Sequence, residues 1–243
     1  MMRAALLLAV QPSPLWYASR SAGSVSLLLL TVVMLLGLAT SARLELASRW
    51  RFVLHGAHRN VSLLTLVFLA VHVAASVLDP YAGIGWFDVV IPFTSSYRPI
   101  WLGLGVLALE LLLAIVITAL LSARVGRRIF RAVHWAAYAC WPIALLHGLG
   151  TGTDVRSGWF SLLSLVCGAA AVGGLFGLRL LGGGTEHRRA RAIAGLATAL
   201  GLSVLAAWAF NGPLRPGWAI AAGTPARLVH PSGGQVVQAT PAR

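Results

Sequence analysis

Four of the seven histidines stand where a titratable side chain is costly. His58 and His72 flank and enter one long apolar run, and His134 and His147 do the same in another. Ionisable residues at membrane depth usually face a bundle interior and bind something there. The spacings are 14 and 13 residues. At 1.5 Å per helical residue they separate the members of each pair by about 21 and about 19.5 Å. If the two runs lie parallel, His58 is level with His134 and His72 with His147. Two neutral imidazoles then meet at each of two depths, an arrangement that suits two stacked porphyrins held between helices of a bundle by bis-histidine ligation. The plain alternative is that each histidine hydrogen-bonds a neighbouring helix. That leaves the matched depths unexplained.

The helical register is easier for one pair than the other. Fourteen residues fall about 40° short of four full turns, so His58 and His72 share a face. Thirteen fall about 140° short, which turns His134 and His147 apart on a straight helix. Pro142 lies between them, and the helix hydrogen bond it removes allows a kink or local unwinding there; sequence does not tell whether it corrects the register.

The elements that must carry these residues follow from composition. Of 243 residues, 58% are hydrophobic and only 10% charged, where a soluble domain carries about 25%. This excludes a disordered tail, a collagen-like chain and a disulfide scaffold, and argues against an ordinary water-soluble enzyme. Six apolar runs are long enough to span a bilayer as helices: Val25–Ala42, Val61–Leu78, Ile100–Leu121, Ala132–Leu149, Trp159–Leu181 and Ala192–Phe210. Helices are required because a backbone in hydrocarbon must satisfy its own hydrogen bonds. The expected fold is an all-α integral membrane bundle of six transmembrane helices. It occupies residues 25–210, between an N-terminal segment (1–24) and a flexible tail (211–243), both extracytoplasmic. Cys140 and Cys167 lie inside apolar runs and read as buried free thiols rather than a disulfide or an iron–sulfur motif.

All 19 basic residues are arginine, giving a net charge of +13. They fall in short clusters between apolar runs, not in one stripe, so they read as topology signal and lipid contacts and not as a nucleic-acid footprint. Three connections hold four arginines each: 43, 49, 51 and 59; 124, 127, 128 and 131; and 179, 188, 189 and 191. The alternate ones hold Arg98 and Arg156 alone. The positive-inside rule makes the rich turns cytoplasmic and places both termini outside a bacterial-type plasma membrane.

The text HGAHRNVSLLTLVFLAVH, with His58 and His72, and FRAVHWAAYACWPIALLHGLGTGTD, with His134 and His147, resembles the ferric reductase-like transmembrane domains. That group includes NADPH oxidases, ferric-chelate reductases and the haem subunit of a bacterial methionine sulfoxide reductase. The resemblance covers roughly residues 51–181. It implies two b-type haems passing electrons across the membrane, with His58 and His134 on the inner one and His72 and His147 on the outer one. Such proteins often continue into a flavin- and nicotinamide-binding module, but here no GxGxxG follows a strand. The resemblance therefore implies an electron donor outside this sequence, a flavoprotein or quinol. The acceptor would be extracytoplasmic: a flavoprotein, a ferric chelate or an oxidised protein side chain.

Other residues have candidate roles. Arg59 and Arg131, one and three residues from the inner histidines, and Arg98, isolated in an outer loop, can grip haem propionates with paired hydrogen bonds. Glu110 is the only carboxylate near the middle of a span; it is either a proton partner to a haem or quinone or an interhelical hydrogen bond. Trp135, Tyr138 and Trp141 can pack on porphyrin edges or face lipid. Gly148, Gly150 and Gly152 can let a macrocycle approach the backbone or simply end a helix. His55, His187 and His230 have no assigned ligand role. A competing function is a small permease or metal-ion transporter built on the same histidines, which calls for one midplane cluster. A structural subunit without a cofactor is the third reading.

Overall fold

The computed structural model of the chain describes residues 13–41, 48–152, 155, 158–181 and 188–229. Among these, every regular element is a helix and no strand occurs. The chain runs through α1 (Pro14–Ser41), α2 (Ser48–Leu78), the short α3 (Trp86–Val90) and α4 (Pro99–Leu120). It continues as α5 (Ser122–His134), α6 (Ala137–Thr151), α7 (Trp159–Leu181) and α8 (Arg188–Asn211), and closes with the short α9 (Trp218–Ala221) and α10 (Ala226–Val229). By length and composition α1, α2 and α4 can each cross a membrane, and the bent pair α5–α6 makes a fourth candidate. The protein is multi-pass, with three to four such spans among the described residues. Three buried hydroxyls follow the rule for helices in lipid: Ser26, Thr31 and Thr65 donate to the carbonyls of Ala22, Leu27 and Val61, each four residues back.

Two pairs of helices frame the interior. α1 lies along α2 and α4 along α6, while α1 also reaches α6 and α7. Leu27, Trp141, Leu145, Leu149, Phe160 and Cys167 form the apolar core where α1, α6 and α7 meet. Trp141 Nε1 donates to Thr31 Oγ1 at 2.9 Å across it. Such a bond is worth only about 0.6 kcal/mol in a membrane, so close packing carries most of the helix–helix contact. Cys140 and Cys167 are both buried and free.

Three expectations need correction. The first helix begins at Pro14, not near Val25, because Ser19, Ser24 and Ser26 point their polar groups into the bundle or back along the helix rather than marking its exit from the membrane. The fourth span is broken after His134, not at Pro142: Trp135 and Ala136 form a turn, α5 and α6 meet at 47°, and Pro142 sits inside a continuous α6. The tail is folded from Gly212 through Val229, because it finds hydrogen-bond partners on the bundle that it lacks alone. Residues 1–12, 42–47, 153–154, 156–157, 182–187 and 230–243, with Arg43, Asp154, Arg156, His187 and His230, lie outside the described residues.

Candidate functional site

Each histidine helix has an antiparallel neighbour, and that neighbour's backbone holds the imidazoles. His72 Nδ1 donates to the carbonyl of Ser19 at 2.7 Å and His58 Nδ1 to that of Val33 at 3.1 Å, both on α1. His147 Nδ1 donates to the carbonyl of Trp101 on α4 at 2.8 Å. A helical carbonyl keeps a second lone pair after its own helix bond, but the side chain four residues on tilts back over it. In all three cases that residue is glycine: Gly23, Gly37 and Gly105. A Cβ on Gly23 would stand 2.8 Å from His72 Nδ1, one on Gly105 would overlap the His147 ring, and one on Gly37 would come within 3.4 Å of His58 Cε1. These glycines open the carbonyls and make room for the rings.

With Nδ1 carrying the shared proton, the lone pair of a neutral imidazole is on Nε2, the tautomer a metal ligand requires. His134 differs. Its Nδ1 is buried without a hydrogen-bond partner among the described residues, and its ring rests 5.2 Å from that of Phe130. Past Gly105, α4 contains no glycine, so no carbonyl is opened for it in the same way.

The structure brings the four predicted histidines together in two pairs. The ring centroids of His58 and His134 are 6.3 Å apart, and those of His72 and His147 6.2 Å, with ring planes at 66° and 79°. Two metal–nitrogen bonds of about 2 Å, with roughly 1.1 Å from each nitrogen to its ring centre, add up to about 6.2 Å. Both pairs therefore stand at the separation of two imidazoles sharing one metal ion. A cavity of about 240 Å³ adjoins the His72–His147 pair; it is lined by apolar side chains such as Leu69, Val106 and Phe160 and by Gly23, Gly105 and Gly148. Arg20, Asp79, Asp88, Tyr81 and Tyr97 also line it. Asp79 is buried and accepts from Ser13 Oγ at 2.9 Å. Burial pushes the Tyr81 hydroxyl above its usual value, with Tyr97 adding to the rise. Among the described residues no three or more His, Cys, Asp or Glu side chains cluster to hold a metal ion.

The family model described as ferric reductase like transmembrane component matches residues 22–145. The chain belongs to this family. The match takes in His58, His72 and His134 and ends two residues before His147. No curated protein and no solved structure matches the chain. Family membership points to electron transfer across a membrane.

The remaining candidates of this ferric reductase-like chain fall in unequal places. Arg98, expected to grip a propionate, is buried and turned elsewhere: Nε donates to Thr224 Oγ1 at 2.8 Å and Nη1 to the Gly150 carbonyl at 2.8 Å. Burial lowers its pKa from the ordinary arginine value. Arg59 and Arg131 are exposed near the His58–His134 pair in sequence. Glu110 is exposed on α4 and does not line the cavity. Trp135, Tyr138 and His55 are exposed, whereas Trp141 is buried in the core. Gly148 lines the cavity, while Gly150 packs against the Trp101 indole.

Sequence reasoning missed the carbonyl seats and Arg20. The seats leave one trace: Gly23 and Gly37 are 14 residues apart, the spacing of His58 and His72 on the next helix. Arg20 reads from sequence as a charge outside the first span. It lies one turn above Gly23, with its guanidinium 4.4 Å from the Trp16 ring centroid.

Proposed function

We propose that this chain is the electron-transferring, haem-bearing component of a membrane oxidoreductase. His58 and His134 would ligate one b-type haem and His72 and His147 a second, about 21 Å away along the helices. The observation that carries the reading is the centroid separation of 6.3 and 6.2 Å in the two pairs. It is supported by the Nδ1 bonds to Ser19, Val33 and Trp101, which leave Nε2 free on three of the four rings. When bound, each haem supplies an iron that takes up and releases one electron. The chain's own residues fix ring tautomer and orientation, keep water from the apolar part of the cavity, and offer cations to propionates. Arg20 lines the cavity beside the His72–His147 pair; Arg59 and Arg131 lie one and three residues from His58 and His134 in sequence.

In this reading six spans cross a bacterial-type plasma membrane. The arginine-rich turns face the cytoplasm, and His72 and His147 lie at the outer side with both termini. Electrons enter from a cytoplasmic flavoprotein or quinol and leave to an extracytoplasmic acceptor. A permease or metal-ion transporter finds less support, since the histidines meet at two depths and not in one midplane cluster. The test is electron transfer across sealed vesicles. Purified protein reconstituted with ferricyanide trapped inside and a membrane-impermeant reductant outside should reduce the trapped oxidant, and the His72→Ala variant should not. Equal rates for wild type, variant and empty vesicles would overturn the proposal.

A further inference from the structure

The stretch after α8 has no part in the histidine pairs, yet it grips the end of the helix that carries His147. Gly150 is in the last turn of α6, where carbonyls have no helical partner. Its oxygen instead accepts from Arg98 Nη1 at 2.8 Å and from Trp218 Nε1 at 3.1 Å. A cation at a helix C-terminus is favourable in its own right. Arg98 is in turn fastened to the same stretch: Nε donates to Thr224 Oγ1, and the backbone N–H donates to the Gly223 carbonyl at 3.0 Å. Arg98 holds φ +45°, a conformation that non-glycine residues adopt only when their surroundings enforce it. The second grip is aromatic. Trp218 and Trp208 pack on Trp101, with centroids 5.3 and 5.1 Å from its ring. The Trp101 indole lies on the backbone at Gly150, where a Cβ would overlap it. Trp101 is also the residue whose carbonyl receives the His147 Nδ1 proton.

We propose that residues 212–229 form a strap that sets the position of His147, with Arg98 and Trp218 as its positioning residues. The strap acts on His147 from two sides, through Gly150 three residues further along α6 and through Trp101 on α4. No bond of this set reaches His58 or His134. The proposal rests on the reading that His147 ligates a haem. It predicts that loosening the strap perturbs one redox centre and spares the other.

The experiment compares full-length wild type with Arg98→Ala, Trp218→Ala, Trp218→Phe and Thr224→Ala. Redox titration and electron paramagnetic resonance report each haem, and amide hydrogen exchange reports residues 145–152 against residues 58–72. In the two alanine variants of Arg98 and Trp218, the potential and resonance signal of one haem should shift and those of the other stay. Exchange over 145–152 should quicken about ten-fold, the effect of losing one charge-assisted or buried bond. Trp218→Phe, which keeps the ring on Trp101, should restore most of the signal. Thr224→Ala removes only the Nε acceptor and covers the case in which Arg98→Ala does not fold. Unchanged signals and exchange in all variants, or equal shifts at both haems, overturn the strap. If wild type binds no haem, the electron-transfer reading falls, and the exchange data still decide whether the strap holds α6.

Discussion

A histidine that binds a metal through Nε2 must place its Nδ1 proton somewhere, and in lipid there is no water to take it. Ser19, Val33 and Trp101 supply backbone carbonyls, each opened by the glycine four residues on. Replacing Gly105 or Gly23 with Ala should therefore unseat His147 or His72 and lower the haem-to-protein ratio from two to one, leaving the His58–His134 centre. Gly37→Ala, whose Cβ would stand 3.4 Å from His58, should cost much less; pyridine haemochrome assay checks both. Among the described residues His134 has no such seat. Loss of a ligand's outer hydrogen bond typically costs 10–100-fold in metal affinity. The haem at His58 and His134 should thus pass to an excess of an apo-haem protein about ten-fold faster than the other. Equal transfer rates would remove the seat from the account. The four histidines themselves are legible in the sequence, because charge in an apolar run is conspicuous. Their seats are not, because a backbone carbonyl has no letter of its own.

At the level of elements, the apolar runs foretell α1, α2 and α4 well, since a lipid-embedded helix must be apolar along its length. What they miss is where polarity serves the interior. Ser19 and Arg20 lie in the first helix because they face α2 and the cavity. The His134–His147 register is also set by something the pattern hides. Trp135 and Ala136 are good enough helix formers, yet the chain turns there and bends 47°. Since Pro142 is not the break, Pro142→Ala should keep both haems and leave the reduced spectrum unchanged. Loss of a haem in that variant would return the kink to the proline.

For the whole molecule, α1 starts and α8 ends at the end of the bundle that holds His72 and His147, where Ser13 meets Asp79 and the strap meets Arg98. The charge pattern assigns that end to the outside. Cys140 and Cys167 are buried, so single added cysteines can report topology against a low background. Ser13→Cys and Ala226→Cys should react with an impermeant thiol reagent added to intact cells, and Arg124→Cys only after lysis. The reverse pattern would invert the direction of electron flow without touching the histidine pairs. The arginine distribution is the sequence's ground for expecting this orientation. The folding of the tail is not readable there, because its partners are distant in the chain: Gly150 lies 68 residues from Trp218 and Arg98 126 residues from Thr224.

The central claim is that two imidazole pairs each clasp one haem, and the most direct measurement is haem content with a dithionite-reduced spectrum of the purified full chain. Wild type should carry two b-type haems per protein, and His72→Ala and His134→Ala one each, with different midpoint potentials remaining in the two variants. A wild type without a reducible b-type band, after expression with ample haem, would contradict the account.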